Sequence, residues 1–162
     1  MDLKLDGKSA LVSGSTAGIG FAVAQALAQE GVSTIINGRT EARVAEAIAS
    51  GAAKPNAKIQ QTTPTAKVSG VVADLATIEG VEQLFQQVPH IDILINNLGI
   101  YEPKAFLDIT DEDWLNIFEV NVLSGIRLSR QYLPKMPKWV KTEALVQQKL
   151  RLSFSRPCDQ LP

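Results

Sequence analysis

Three glycines within seven residues, Gly14, Gly18 and Gly20, separate a short apolar run from a stretch with helical periodicity. This arrangement narrows the choice of folds sharply. A buried strand that ends in a glycine-rich turn and passes directly into a helix is how a βαβ unit begins. The glycines allow a tight turn, close backbone approach to a bound group, and close packing of helix on strand. The N–H groups at the start of such a helix have no intrahelical partners and form a natural anion site.

The rest of the chain repeats the theme. Residues 8–13 read as a buried strand, and residues 18–30 as a helix with Ile19, Ala22, Val23, Ala26 and Leu27 on one face and Gly31 as its stop. Residues 32–37 are β-branched and read as a second strand. Residues 40–50 read as a helix capped by Thr40, with Val44, Ala47 and Ile48 inward. Gly51, Pro55, Asn56 and Pro64 mark residues 51–66 as a loop. A third strand at 68–73, a helix at 78–87 and a fourth strand at 91–95 follow. A long helix spans about 111–132, with Thr110 as cap and Asp111, Glu112 and Asp113 at its positive end. Strands alternating with helices at this spacing predict an α/β fold with a parallel sheet covered on both faces.

Composition removes several classes. The chain has 162 residues, enough for one domain, with Lys+Arg 16 against Asp+Glu 17. That balance gives no basic surface for nucleic acid or an anionic membrane. One cysteine, Cys158, and one histidine, His90, leave neither a disulfide framework nor a metal-ligating cluster, so no metal site is expected. No apolar stretch is long enough to span a bilayer, and the acids in residues 1–7 argue against a signal peptide. The expected setting is cytoplasmic.

The spacing of the first turn, G-x3-G-x-G, departs from the G-x-G-x-x-G dinucleotide fingerprint and by itself also fits an ordinary glycine-rich turn. Ser13-Gly14-Ser15-Thr16-Ala17-Gly18-Ile19-Gly20, Ala73-Asp74-Leu75, Asn96-Asn97-Leu98-Gly99 and Val120-Asn121-Val122 together are more specific. In this order, and on these elements, they resemble the motifs of the short-chain dehydrogenase/reductase family over about residues 5–136. Ser13 and Leu98 stand where that family usually has Thr and Ala.

The resemblance implies a Rossmann-like, doubly wound sheet, here with about four strands in the order 3-2-1-4. It implies pyrophosphate binding by Gly14, Gly18 and Gly20 together with Ser15, Thr16 and Ile19. It also implies an adenine contact at Asp74, continued by Leu75, and a ribose-side contact at Asn97 and Gly99. Taken alone, Asp74 reads as a turn residue after a strand, and Asn97 as an Asx turn. Asn121, inside the long helix, needs a partner or a face open to solvent; by resemblance it sits in a helix irregularity and anchors a water chain. At the end of the second strand an acid would select NAD(H), but none occurs before Glu41. Arg39 offers a fork of donors suited to a 2′-phosphate, which favours NADP(H) over NAD(H), although a solvated loop arginine is common. His90 is expected to be structural or exposed, away from the cofactor side, and Tyr101 to line a cleft or pack.

The resemblance also implies hydride transfer between the nicotinamide and a carbonyl or alcohol. A tyrosine would act as general acid/base beside a lysine four residues later, with an upstream serine on the substrate oxygen. This chain has only Tyr101, followed four residues on by Ala105, and Tyr132, followed by Met136. Asn121 is therefore the sole catalytic remnant expected, and the chain as it stands is expected to be inactive. The alternative is a non-catalytic dinucleotide-binding fragment, or a partner of a full-length relative.

Past Met136 the pattern changes. All 11 glycines lie before it, and the remaining residues are basic on balance. The expected division is a binding domain over 1–136 and a divergent tail over 137–162. A shifted reading frame, an alternative 3′ end or a genuine segment would each produce such a tail. Residues 141–150 suit a polar helix, which would leave the fourth strand an exposed apolar edge open to self-association.

Overall fold

The computed structural model describes residues 4–52, 67–136 and 145–147. Five parallel strands stand in the order β3-β2-β1-β4-β5: β1 Ser9–Val12, β2 Ser33–Gly38, β3 Val68–Val72, β4 Ile93–Asn96 and β5 Leu145–Gln147. The expected four strands are present in the order 3-2-1-4. Ala10 of β1 pairs with Thr34 on one side and Ile93 on the other.

The helices are α1 Gly18–Gln29, α2 Glu41–Ala47, α3 Ile78–Gln87, α4 Asp111–Phe118 and α5 Ser124–Tyr132. Alternate residues of β1, β2 and β4 face opposite layers, as the period of a strand requires. Leu11, Ile35 and Leu94 join Leu84, Leu128 and Tyr132 of α3 and α5 in one core. Val12 and Ile36 join Ala24 and Ala47 of α1 and α2 in the other.

The fifth strand corrects one expectation. Leu94, Ile95 and Asn96 pair with Leu145, Val146 and Gln147, so β4 is an inner strand and the edge expected to drive self-association is paired. A short apolar pair, Leu145 and Val146, joins a parallel ladder even though the stretch around it is largely polar. The remainder of the expected tail helix, residues 141–144 and 148–150, and most of the 51–66 loop lie outside the described residues.

Helix α1 is rotated from the orientation expected. Gly20, Ala24 and Ala28 are buried, Val23 and Leu27 of the expected face pack against the same core, and Ala22, Ala26 and Ile19 (68%) are exposed. The smallest side chains, four apart, let the helix axis approach the strands most closely, and that outweighs the burial of the larger residues. Thr40 stands at the start of α2 but makes no capping bond with its side chain. Thr110 does, in a reciprocal pair with Asp113.

Candidate dinucleotide site

The carboxyl ends of β1 and β4 meet at the glycine turn, and polar side chains hold it there. The Ser13 hydroxyl donates to the Ile95 carbonyl (3.3 Å) and accepts from the N–H groups of Asn97 (2.9 Å) and Leu98 (3.0 Å). Asn97 Nδ2 donates to the carbonyls of Ser13 and Gly14, at 3.0 Å each. Its Oδ1 has no partner among the described residues.

Ser15 and Asn37 tie the same turn to β2 and β3. Ser15 is fully buried; its hydroxyl donates to the Val12 carbonyl (2.6 Å) and accepts from the Asn37 N–H (3.0 Å). Asn37 Oδ1 accepts from the Gly14 N–H (3.2 Å), and Nδ2 donates to the carbonyls of Val71 and Ala73. The sequence reading placed Asn37 only at a strand end. The available signal was an amide closing the β-branched run 34–36, a place where a buried polar group must find partners.

The three glycines are required for different reasons. Gly14 and Gly18 adopt φ of +58° and +59°, left-handed conformations that favour glycine. A Cβ at Gly20 would collide with Asn97 Nδ2 and lie 2.8 Å from the Gly14 carbonyl oxygen. A Cβ at Gly18 would meet nothing within 4 Å. The turn is therefore closed below by Asn97 and open above Gly18, at the N-terminus of α1. The Thr16 methyl packs against Gly38, at the end of β2. Arg39 follows, exposed, with no hydrogen bond or ion pair among the described residues.

After β3, Asp74 is exposed and its Oδ1 accepts from the Ala76 N–H (3.1 Å), while its other carboxylate oxygen has no partner among the described residues. Leu75 is only 1% exposed and belongs to the core, so its side chain faces away from the site and only its backbone borders it. Gly99 is exposed. Asn121 lies in a π-helical segment, Glu119–Leu123, between α4 and α5, and so in a helix irregularity. It is not a free surface amide: Oδ1 accepts from the Ile100 N–H (2.7 Å) and Nδ2 donates to the Ile100 carbonyl (3.0 Å).

The two tyrosines part company. Tyr101 is exposed. Tyr132 is buried, donates its hydroxyl to the Val88 carbonyl (2.7 Å) and meets Phe85 edge to face; burial pushes its phenol well above the usual range. His90 is exposed and precedes β4, at the sheet end opposite the glycine turn. Among the described residues there is no cluster suited to a metal ion and no helix long and apolar enough to cross a membrane.

A family model described as short chain dehydrogenase matches residues 8–144. The chain belongs to the short chain dehydrogenase family. The match runs past Met136, where the motif-based resemblance stopped. The Uncharacterized oxidoreductase YvaG of Bacillus subtilis is 47% identical over 136 residues, covering 84% of this chain and 48% of that protein. D-beta-hydroxybutyrate dehydrogenase of Cupriavidus necator is 35% identical, covering 82% and 49%. Among solved structures, L-sorbose reductase from Gluconobacter frateurii, complexed with NADPH and L-sorbose, superposes with a TM-score of 0.68 at 32% identity. That match covers 83% of this chain and 49% of the reductase. The chain thus spans about half the length of the family members it matches.

Proposed function

We propose that residues 1–136 form a dinucleotide-binding unit of an oxidoreductase, with NADP(H) favoured over NAD(H), and that this 162-residue chain does not itself carry out hydride transfer. The observation that carries the binding half is the turn open above Gly18, framed by N–H groups at the start of α1 and flanked by the exposed Arg39. A pyrophosphate needs both the backbone donors and the room that a side chain would fill. The NADPH bound to L-sorbose reductase, a structure of the same family, supports this reading.

In this reading the backbone of Gly14, Ser15, Thr16, Gly18, Ile19 and Gly20 lines the pyrophosphate. Asp74 offers its second carboxylate oxygen to the adenine, with the Leu75 backbone beside it. Asn97 Oδ1 and Gly99 face the ribose on the nicotinamide side, and Arg39 pairs with the 2′-phosphate. When bound, the cofactor supplies hydride chemistry toward a small carbonyl or alcohol. The chain's own part would be to deliver the proton, and its residues are poorly suited to it. Tyr132 is committed to Val88, Tyr101 has no lysine four residues on, and Asn121 is held by the Ile100 backbone. A positioned general acid is worth about 10²–10⁴-fold in rate.

Titration of the full chain with NADPH and NADH tests the cofactor reading. NADPH is expected to bind at least about tenfold more tightly, since a charge-assisted bidentate contact is worth that much. Arg39→Asp should abolish or reverse the preference. Equal affinity for both cofactors in the parent chain would remove the role given to Arg39.

A further inference from the structure

We infer that Arg127 is a positioning residue for the adenine end of the dinucleotide, an inference that rests on the cofactor reading above. Arg127 lies on α5, 51 residues from the loop it grips. Its Nη1 donates to the Ala76 carbonyl (2.5 Å) and its Nη2 to Glu119 Oε1 (2.8 Å). The side chain is 18% exposed, so the guanidinium is largely covered; its firm acceptor is the Ala76 backbone carbonyl, and the pair with the half-exposed Glu119 adds little.

Ala76 links Arg127 to Asp74 through two successive peptide groups. Its N–H, in the 75–76 peptide, donates to Asp74 Oδ1, and its carbonyl, in the 76–77 peptide, accepts from Arg127. The Asp74 carbonyl is held separately, by the N–H (3.1 Å) and hydroxyl (3.0 Å) of Thr77 at the start of α3, and Gly80 leaves just enough room for it. The α3 cap therefore fixes the Asp74 backbone, while Arg127 fixes the next peptide along and, through the Ala76 backbone, restricts the N–H that sets the direction of the Asp74 carboxylate. The other arm of the guanidinium ends on Glu119, the first residue of the π segment in which Asn121 holds Ile100. Arg127 thus grips the loop after β3 directly, while the loop after β4 is held at Ile100 by Asn121, so loss of Arg127 acts on the adenine end.

The test uses the full chain and three ligands: NADPH, 2′,5′-ADP (the adenine half) and reduced nicotinamide mononucleotide (the other half). Arg127→Met, which keeps the length and apolar stem, should weaken 2′,5′-ADP and NADPH by about tenfold. The mononucleotide should bind as before, and added ethylguanidinium should restore part of the loss. Arg127→Lys offers one point charge for two acceptors, so it should show a smaller loss with the same selectivity, and it carries the test if the methionine variant does not fold. Equal weakening of both halves, or unchanged 2′,5′-ADP binding in a folded variant, would overturn the role of Arg127. A parent chain that binds none of the three would overturn the cofactor reading and this inference with it, and that failure shows before any variant is made.

Discussion

The turn after β1 and Tyr132 at the end of α5 both hold polar side chains in place, yet to different ends. At the turn, Ser13, Ser15, Asn37 and Asn97 spend most of their hydrogen bonds on the surrounding backbone, which leaves Asn97 Oδ1 without a partner among the described residues and the space above Gly18 open. At the end of α5, the buried Tyr132 spends its hydroxyl on the Val88 carbonyl. Binding a phosphate asks for rigid backbone donors, which a well-packed turn supplies better than a loose one. Proton transfer asks for a side chain that is held and still able to exchange its proton. A family fold can keep the first without the second, because the two draw on different atoms.

Substitutions that exploit this contrast should fall in a definite order. The largest effect belongs to Gly20→Val, whose Cβ would drive into Asn97 and the Gly14 carbonyl. NADPH binding should be lost and the thermal midpoint sharply lowered. Gly18→Ala in the same turn meets open space and should cost only the strain of a left-handed residue, about 1–2 kcal/mol. If the two behaved alike, the turn would not be shaped as described.

Next comes Asn37→Ala, which strips the partners from the Gly14 N–H and from the Val71 and Ala73 carbonyls. Leaving buried groups unpaired should cost about 3 kcal/mol by denaturant unfolding. Loss of less than half of that would mean that water replaces the amide.

Tyr132→Phe keeps the ring and loses one hydrogen bond, an expected cost of about 1 kcal/mol. The sign of its pH dependence is fixed by the raised phenol. The native state keeps the proton that the unfolded chain releases near pH 10, so this stability is complete below that pH and declines as pH rises above it. The parent chain should therefore destabilise above about pH 10 more steeply than the variant. Parallel alkaline melting curves would contradict the burial of this group.

The smallest effect is expected at the exposed pair Lys104–Asp113. Their mutual hydrogen bond raises the lysine and lowers the carboxyl. The carboxylate's share of stability is present above its ordinary range and fades as the solution turns acid. The lysine's share is present below its ordinary range and fades at high alkalinity. Lys104→Met should barely move the melting midpoint at neutral pH, and less still in high salt.

Local pattern made much of this structure legible. The glycine turn and the Thr110 cap each leave a mark within a few residues of sequence, while the strand order and the irregular helix at Asn121 followed from the family resemblance. What escaped depended on distant partners. The buried face of α1 follows from how closely a row of small residues can approach the sheet, which its own periodicity does not reveal. β5 is three residues whose strand character comes from β4 beside it. Ser15 and Leu75 sit within family motifs, yet their side chains serve the interior. The Arg127 contact with Ala76 joins elements with no sequence pattern in common.

The central claim is that this chain binds a dinucleotide and does not turn it over. The decisive measurement is NADPH absorbance followed with purified full-length chain, first in a binding titration and then with an excess of varied aldehydes and ketones. Saturable NADPH binding with oxidation no faster than the protein-free background is the predicted result. Steady oxidation that depends on the carbonyl substrate, and is lost in Asn121→Ala, would contradict it.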